Sequence, residues 1–505
     1  MGKMKRTISI ICFCLGYGFT AYSTLKIVSS QPWNPLLQEA SGVNSQVASG
    51  PSWHNSDFIN MLIDLKPGSI RYPGGAIGNY TDWRTGQYMQ EDARDPENGP
   101  VLGVHKNADS RLVRLNTFRP EELKLAYDAT GATPVYMVNM LTDTLGSTLE
   151  MLAHCKSLGL PVKYIELGNE LYLTYFGGGD ITANIPGDYA APHHFPTAES
   201  YAEECNKWIS AIKEHYPEVK IGYLVVFGRS WERWYTNSPR TLSWNRTMAN
   251  IITGTDRVII HHYAKIMYEP NIISGIKSSL DEFNEVERFI ADSLPGKKVW
   301  FTEYNVKDGM QETNPELPQN PWGGRWGHGI LTTLLTCYIT SIPKVELACI
   351  HNLCADVAVA MITFKAMKIH PCPEDNSSSI ICRMEYTAAG IAQKFLKKAS
   401  FDAVKIKRIS FTNNIVLETS SGNLEGVSAY AFENEKGERK LYIVNLTENA
   451  CNIELTDFQE LTTVDHLSAS SLTEAVLDEI QLIPGKSTVR NNLLSIPRFS
   501  ISVVY

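Results

Sequence analysis

Two glutamates each follow a short apolar run that is typical of a buried β-strand. Glu170 comes three residues after the run at 162–167, and Glu303 ends the run at 298–303. Two carboxyl groups that face each other are the minimum equipment for cleaving a glycosidic bond. One must give its proton to the leaving oxygen, and the other must stay ionised to attack the sugar or to activate water. A separation of about 5 Å would indicate retention, and about 6.5–9.5 Å would indicate inversion.

Strand-like runs alternate with helical patterns from about residue 38 to 395, which favours an α/β fold. The strand-like runs lie at 42–44, 68–72, 134–139, 162–167, 220–226, 258–263, 298–303 and 345–350. The helical patterns lie at 56–65, 120–130, 145–158, 198–215, 280–294, 327–340 and 387–398. Eight such strands predict a (β/α)8 TIM barrel, with a doubly wound sheet as the competing arrangement. In a barrel, Glu170 and Glu303 would lie at the C-terminal ends of strands four and seven, where barrel enzymes hold their active sites.

The sequence pattern changes after about residue 400, where short β-type runs are separated by turns rich in Gly, Asn and Glu. This pattern predicts an all-β sandwich as a C-terminal accessory domain. We therefore expect a catalytic barrel at 24–398 and a β-domain at 399–505. The stretch at 24–36 is strand-like at its start and is a candidate to join the β-domain.

The first 23 residues have the pattern of a secretory signal peptide. Lys3, Lys5 and Arg6 precede an apolar run at 8–19, and residues 21–23 offer small residues before a cut at Thr24. The apolar run is short for a membrane span. We expect a cleaved signal and a secreted or periplasmic protein without a membrane span in the mature chain. An uncleaved membrane anchor is the alternative.

Composition narrows the classes of partner. The formal net charge is -8, with 46 basic and 54 acidic residues, so no basic surplus exists to neutralise the phosphates of a nucleic acid. The cysteine spacing matches no zinc pattern, and we expect no metal and no organic cofactor. Cys372 and Cys382 flank a polar loop and are the expected disulfide, whereas Cys205, Cys337 and Cys349 are expected as buried thiols. Sequons occur at Asn79, Asn245, Asn376 and Asn445. The sequence does not indicate an oligomeric state.

Four segments, in order, resemble clan A glycoside hydrolases, and most of all the α-L-arabinofuranosidase and heparanase-like (β-glucuronidase) families. They are Ser69-Ile70-Arg71-Tyr72-Pro73-Gly74-Gly75, Glu166-Leu167-Gly168-Asn169-Glu170, Ile260-His261-His262-Tyr263 and Phe301-Thr302-Glu303-Tyr304-Asn305. Their spacing is similar to that of the family across most of the chain, and the trailing β-domain is also similar. The resemblance implies a retaining glycosidase that acts on a carbohydrate.

The resemblance also implies a role for each matching residue. Glu170 would be the general acid/base and Glu303 the nucleophile. Asn169 would bind the 2-hydroxyl of the sugar, and Arg71 would orient Glu303 and keep its pKa low. Tyr263 would donate a hydrogen bond to Glu303. His262 would line the same rim.

Other polar and aromatic residues fall at strand ends or in loops. Asn44 and Asn139 end strands one and three and are candidates for binding sugar hydroxyls, with turn formation as the alternative. Trp83, Trp322 and Trp326 lie in expected loops, where a Trp face suits a sugar ring but also suits a buried anchor. We include Trp326 among the substrate-binding candidates. His328 is expected as a contact at the start of a helix.

Two long loops leave the sugar and the mode of action open. The loop at 171–196 is aromatic and the stretch at 80–113 is polar, and loops of this length on a barrel top usually shape binding sites. Endo and exo action are both compatible with them. A non-catalytic carbohydrate-binding protein on the same scaffold is the alternative from another class, and the presence of both glutamates disfavours it. A transglycosylase with the same site is a third possibility.

Overall fold

The computed structural model describes most of the chain. The described residues are 24–28, 31–45, 47, 50–89, 91–95, 119–173, 194–227, 239–266, 271–308, 324–355, 360–366, 382–476 and 482–505. The expected signal peptide, Trp322, Cys372 and Asn376 lie outside them.

The predicted TIM barrel is confirmed. The first fifteen strands in chain order are β1 (Leu25–Val28), β2 (Asn34–Pro35), β3 (Ser41–Asn44), β4 (Ser69–Tyr72), β5 (Thr81–Asp82), β6 (Gln87–Tyr88), β7 (Thr133–Val138), β8 (Tyr164–Leu167), β9 (Lys220–Leu224), β10 (Arg257–Ile266), β11 (Lys298–Asp308), β12 (Val345–His351), β13 (Cys354–Ala355), β14 (Ile362–Ala366) and β15 (Cys382–Tyr386). Strands β3, β4 and β7 to β12 close into a parallel barrel in the order of the chain, with β12 pairing back to β3. Closure brings the C-terminal ends of all eight strands to one mouth.

Helices cover the outside of the barrel. They are α1 (Ser56–Leu65), α2 (Pro120–Thr130), α3 (Leu145–Ser157), α4 (Ala198–His215), α5 (Pro239–Ile251), α6 (Ile272–Ser293), α7 (Trp326–Thr340) and α8 (Ala388–Ser400). Side-chain caps fix several N-termini, since Asn55 caps α1, Thr144 caps α3 and Thr197 caps α4. Several features differ from the sequence prediction, among them the short strands β5, β6 and β13 to β15, which were not predicted. Helix α5 was not predicted, and α6 begins eight residues earlier than expected because Asn271 caps it at Ile273.

The C-terminal part is a β-domain, as predicted. Its strands are β16 (Ala403–Thr412), β17 (Val416–Thr419), β18 (Gly422–Glu425), β19 (Val427–Asn434), β20 (Arg439–Asn445), β21 (Cys451–Glu454), β22 (Thr463–Ser468), β23 (Ile483–Thr488), β24 (Leu493–Ile496) and β25 (Ser500–Val504). Strands from both ends of the chain share one sheet, because β1 lies between β16 and β21 and β2 pairs with β16. The sheet encloses a second apolar core that includes Leu25, Ile443 and Ile453.

The barrel and the β-domain pack directly on each other. Arg408 of β16 lies 3.1 Å from Glu287 of α6, and Tyr442 of β20 donates a 2.7 Å hydrogen bond to Thr333 of α7. Cys205, Cys337 and Cys349 are buried free thiols, as expected. Within the described ranges, no helix has both the length and the apolar character needed to cross a membrane.

Candidate active site

Arg71 of β4 compensates two buried carboxylates at the barrel mouth. Its Nε and Nη2 atoms each donate a 2.7 Å hydrogen bond to Glu166, and Nη1 donates one of 2.6 Å to Glu303. The side chains of Arg71 and Glu166 are fully buried, and that of Glu303 is 7% exposed. Burial alone would lower the pKa of Arg71, but the two carboxylates outweigh it and raise that pKa. Arg71 is therefore a fixed positive charge between them.

Glu303 of β11 is held as a carboxylate by donors from neighbouring strands. Asn44 Nδ2 donates to Glu303 Oε1 at 3.2 Å, and the Tyr263 hydroxyl donates to Oε2 at 2.5 Å. Burial alone would raise the pKa of Glu303, but nearby positive charges, that of His261 first, hold this pKa well below its usual range. Glu303 is therefore ionised at neutral pH.

Glu170 leaves β8 through a tight turn. Gly168 has a φ of 77°, and a Cβ there would meet the Leu171 side chain at 2.4 Å, so the position requires glycine. Glu170 has a φ of 48°, a left-handed conformation that is uncommon for a residue with a side chain. Asn79 holds the turn, because it donates to the Asn169 carbonyl at 2.8 Å and accepts from the Asn169 N–H at 2.9 Å. The Glu170 side chain, 11% exposed, is thereby fixed beside His261.

His261 of β10 links Glu170 to the floor of the site. Its Nδ1 lies 2.9 Å from Glu170 Oε1, and its Nε2 lies 2.9 Å from Thr302 Oγ1. The Thr302 hydroxyl donates to Glu166 at 3.1 Å, so its oxygen is left to accept from His261 Nε2–H. Burial would lower the pKa of His261, but the Glu303 carboxylate first, and then two hydrogen-bonded carboxylates, raise it to about 9. A proton therefore lies between His261 Nδ1 and Glu170 Oε1 near neutral pH.

The carboxyl groups of Glu170 and Glu303 face each other across the mouth. One oxygen of each, together with His261 Nδ1, forms a group in which every pair of atoms lies within 4.8 Å. His261 Nδ1 itself is 3.9 Å from Glu303 Oε2. The two carboxyls are thus close together, but their partners differ. Of the two, only Glu303 accepts a hydrogen bond from Arg71, whereas Glu170 contacts His261.

Asn44 of β3 and His351 of β12 complete the mouth on the far side of Glu303. Asn44 Nδ2, which donates to Glu303, also lies 2.9 Å from His351 Nδ1. The ring of His351 meets that of Tyr263 edge-on, with 5.7 Å between centroids. The structure thus brings Asn44 into the site, where its amide contacts the glutamate directly.

The residues named from the sequence divide into two groups. Those that the structure brings into one hydrogen-bonded cluster are Glu170, Glu303, Asn169, Arg71, Tyr263 and Asn44. Those that it places elsewhere are His262, Asn139 and Trp326.

The prediction that His262 lines the rim is wrong. His262 is fully buried on the outside of β10, with its ring 5.1 Å from that of Phe227 and 4.8 Å from that of Phe283. Burial lowers the pKa of His262 to about 3. Successive side chains of a strand point to opposite faces, so Tyr263 and His261 point inward together and His262 points outward.

Trp326 does not bind substrate in this structure, because it is fully buried at the start of α7. Its indole Nε1–H donates a 2.7 Å hydrogen bond to the carbonyl of Phe499, and its backbone N–H donates to that of Glu474. Both acceptors belong to the C-terminal part of the chain. Trp326 is therefore an anchor between the two domains.

Asn139 forms a turn, which was the alternative interpretation. Its side chain accepts from the N–H groups of Leu141 and Thr142 and donates to Thr142 Oγ1 and the Thr81 carbonyl. These bonds use its donors and its acceptor within the loop after β7. Trp83 is likewise an anchor, since it donates to Ser147.

His328 is fully enclosed in the first turn of α7. Burial lowers the pKa of His328 to about 4. It is part of the helix start, as expected, and neither ring nitrogen has a hydrogen-bond partner among the described residues.

Several residues of the site were not named as candidates from the sequence, among them Glu166, His261, Thr302, Tyr172, His351 and Asn79. Glu166 had a signal, because a carboxylate inside an otherwise apolar strand needs a buried partner. His261 could have been found because it lies two residues before Tyr263 on the same strand, and side chains two residues apart point to the same face. Asn79 was noted only as a sequon, and it is 1% exposed.

Solved structures match the chain over almost its whole length. The GH51 α-L-arabinofuranosidase from Thermotoga petrophila RKU-1 superposes with a TM-score of 0.65 at 16% identity, over 95% of this chain and 99% of that chain. A family 51 α-L-arabinofuranosidase from Bifidobacterium longum gives 0.66 at 14% identity, over 95% and 98%. The chain has the fold of these proteins. A 4-O-α-L-rhamnosyl-β-D-glucuronidase from Fusarium oxysporum also shares it, with a TM-score of 0.57 at 16% identity over 95% and 100%.

No protein-family model matches the sequence, and no curated protein matches it. At these identities the structural likeness is one of fold.

Proposed function

We propose that this chain is a retaining glycoside hydrolase that cleaves an oligosaccharide or polysaccharide by double displacement. Glu170 is the general acid/base and Glu303 is the nucleophile. The observation that carries the proposal is the pair of facing carboxyl oxygens within 4.8 Å of each other. This bound on the approach of the two nearest oxygens favours the narrow carboxyl spacing of retaining enzymes, about 5–5.5 Å, over the gap of about 6.5–9.5 Å that inverting enzymes need for a water.

The unlike surroundings of the two carboxyls support their separate roles. In the first step the Glu303 carboxylate attacks the anomeric carbon as the bond to the leaving oxygen breaks. The proton between His261 Nδ1 and Glu170 passes through Glu170 to that oxygen. Arg71 and Tyr263 hold Glu303 ionised and oriented before the attack.

In the second step water replaces the leaving group. Glu170 takes a proton from the water as the water oxygen attacks the anomeric carbon, which restores the proton between Glu170 and His261. The bond from the sugar to Glu303 breaks, and the carboxylate returns to its hydrogen bonds with Arg71 and Tyr263. The configuration at the anomeric carbon is retained because it inverts twice.

Asn169 is suited to bind the sugar next to the bond that breaks. Its Oδ1 accepts a 2.7 Å hydrogen bond from Arg71, which fixes the amide. Its Nδ2 is buried and has no hydrogen-bond partner among the described residues. A buried amide donor without a partner is costly unless a ligand supplies the acceptor. We assign that acceptor to the 2-hydroxyl of the sugar.

The sugar is to be found by a screen. Because proteins of the same fold include α-L-arabinofuranosidases and a rhamnosyl-glucuronidase, the panel begins with aryl α-L-arabinofuranosides and aryl β-D-glucuronides. Plant, algal and host polysaccharides follow. Binding of a polysaccharide without cleavage of any substrate would instead support the carbohydrate-binding alternative.

Three variants at the two glutamates and one control variant test the two roles. Glu303→Ala and Glu170→Ala are expected to lose cleavage, whereas Glu150→Gln, which removes an exposed charge on α3, is expected to retain it. Azide should rescue a Glu303→Gly variant and give a product of inverted configuration. Equal activity of Glu303→Ala and wild type would show that the nucleophile is assigned to the wrong residue.

We also propose that the chain is exported, with cleavage before Thr24. The first described strand, β1, begins at Leu25, so a cut before Thr24 would remove the apolar run and leave this strand intact. Expression of the full chain in a secreting host, followed by N-terminal sequencing, tests this. A mature protein that begins at Met1 would contradict it.

A further inference from the structure

Three potential metal-ligand atoms converge at the barrel mouth. They are His261 Nδ1, a Glu170 oxygen and a Glu303 oxygen, all within 4.8 Å of one another. We propose that this triad binds a divalent transition-metal ion of the zinc type, which takes the place of the proton between His261 and Glu170. Such an ion would occupy both carboxyls and switch the enzyme off. The inhibition rests on the proposed function, whereas the binding does not.

The separations fit a small ion with few ligands. Zinc binds imidazole nitrogen and carboxylate oxygen at about 2.0–2.2 Å, so the ligands of a tetrahedral ion lie roughly 3.4 Å apart. His261 Nδ1 is 2.9 Å from Glu170 Oε1 and 3.9 Å from Glu303 Oε2. One distance is shorter and the other longer than 3.4 Å. Shifts of about 0.5 Å in the two glutamate side chains would therefore bring both oxygens to ligand distance from His261 Nδ1.

The second coordination shell of His261 is already built. Ligand histidines usually donate their other ring N–H to an oxygen acceptor, which fixes the tautomer and the ring orientation. Here Thr302 Oγ1 lies 2.9 Å and Glu166 Oε1 lies 3.5 Å from His261 Nε2. Because the Thr302 hydrogen is given to Glu166, Nε2 must carry the proton toward Thr302. The lone pair of neutral His261 is then on Nδ1, which faces the two glutamates.

The charges near the triad also favour a divalent cation. Glu166, Glu170 and Glu303 carry three negative charges when ionised, Arg71 supplies one positive charge, and His261 is neutral once the ion has replaced its proton. His351 Nδ1 lies 3.8 Å from Glu303 Oε2, on the same side as Tyr263. Arg71 donates to Glu303 Oε1, on the oxygen that does not face His261. Glu303 Oε2 accepts one hydrogen bond from Tyr263, and a carboxylate oxygen has a second lone pair for a metal.

Ligand type separates zinc from magnesium and calcium. The latter two ions prefer six or more oxygen ligands, and magnesium dehydrates reluctantly. A site with one imidazole and two carboxylates suits zinc, with water in the remaining position. We therefore expect selectivity for zinc over magnesium.

Calorimetric titration of metal-free protein with zinc chloride tests the binding directly. The expected result is one zinc ion per wild-type chain, no such binding in His261→Asn, and no binding of magnesium. Thr302→Val removes only the oxygen that orients His261, so its affinity should fall by roughly 10–100-fold. His54→Ala is the matched control, because His54 is an exposed histidine 3.9 Å from Glu122, and it should bind zinc like wild type.

Two outcomes would overturn the proposal: no zinc binding by wild type at millimolar concentration, or equal binding by wild type and His261→Asn. Circular dichroism checks that each variant folds. If His261→Asn does not fold, the visible spectrum of cobalt(II) with wild type decides. A spectrum of low-coordinate cobalt with a nitrogen ligand supports the site, and the spectrum of hydrated cobalt alone refutes it.

Kinetics with the substrate found by the screen test the inhibition separately. Zinc should raise the apparent KM without changing kcat, and a chelator should reverse the effect in wild type and in His54→Ala. Inhibition that leaves KM unchanged would contradict an ion between the glutamates. If no glycoside is cleaved, the proposed function fails while the calorimetry still decides the metal site.

Discussion

Arg71 donates two hydrogen bonds to Glu166 and one to Glu303, so a single guanidinium holds together strands β4, β8 and β11. The arrangement makes Glu166 a partner of Arg71 and leaves Glu303 as the carboxylate that also faces Glu170. Arg71 therefore both stabilises the fold and orients Glu303, and experiments can separate these two effects.

Arg71→Met should destabilise the protein and abolish activity. Two buried carboxylates would lose their counter-charge, and breaking a buried ion pair costs about 3–5 kcal/mol. Urea unfolding measures the loss. In the double variant Arg71→Met with Glu166→Leu, one unpaired carboxylate is also removed, so stability should partly recover while activity stays absent. An Arg71→Met protein as stable as wild type would contradict this account.

His262 should make the protein sensitive to acid. Its pKa is lowered to about 3 in the folded protein, from about 6.5 in the unfolded chain. Its contribution to the free energy of unfolding is therefore present above about pH 6.5 and is lost as pH falls. Unfolding takes up one proton in this window, which reduces stability by about 2 kcal/mol between pH 7 and pH 5. His262→Phe keeps the ring contacts with Phe227 and Phe283, loses the 3.5 Å approach of Nε2 to Glu282 Oε2, and should flatten the decline.

The measurement is the free energy of unfolding in urea at pH 7 and pH 5 for both proteins. His328 provides a second case, since its pKa is lowered to about 4 for the same reason. Parallel declines in wild type and His262→Phe would show that the buried imidazole is not the source.

His261 should make the protein less stable as pH rises, which is the opposite of the effect of His262. Its pKa is raised to about 9, so its contribution to stability is full below the unfolded value of about 6.5 and is lost as pH rises through 9. Wild type should therefore lose stability between pH 7 and pH 9, and His261→Gln should lose less over the same range. Unfolding curves at the two pH values decide, and an equal slope in both proteins would refute the shift.

Asn169→Ala should reduce kcat/KM by about 10²-fold, as expected when a donor that stabilises the transition state is removed. If Nδ2 binds the 2-hydroxyl, a 2-deoxy substrate should react equally slowly with wild type and variant. Combining the protein variant with the 2-deoxy substrate gives a double-mutant cycle that isolates the contact between Asn169 Nδ2 and the 2-hydroxyl. Full additivity of the two losses would mean that Asn169 acts elsewhere, for example only through Arg71.

Trp326→Ala should lower the free energy of unfolding by about 3–5 kcal/mol, the usual cost of emptying a buried aromatic site. Trp326→Phe should cost less, because it loses the hydrogen bond to Phe499 but keeps most of the packing. Both variants that remain folded should bind saccharide like wild type. A change in KM without a change in Tm would restore the substrate-binding interpretation.

The sequence predicted the barrel well, because eight apolar runs separated by amphipathic helices leave few alternatives. It also located the residues whose strand position and motif agree, such as Arg71 and Tyr263. It failed where a side-chain direction or a tertiary partner decides. His262 and His261 are neighbours that differ only in the face of β10 they occupy, and Trp326 is buried by a segment more than 140 residues away.

The position of β1 between β16 and β21 has a consequence for how the chain is made. β1 is the first strand among the described residues, and it is an inner member of a sheet whose other strands, apart from β2, all follow the barrel in the chain. The whole barrel is thus a topological insertion in the β-domain. The pairs of Leu25–Val28 with β16 and β21 can therefore form only after the barrel has been synthesised, and a fragment that begins at residue 399 would lack the strand between β16 and β21.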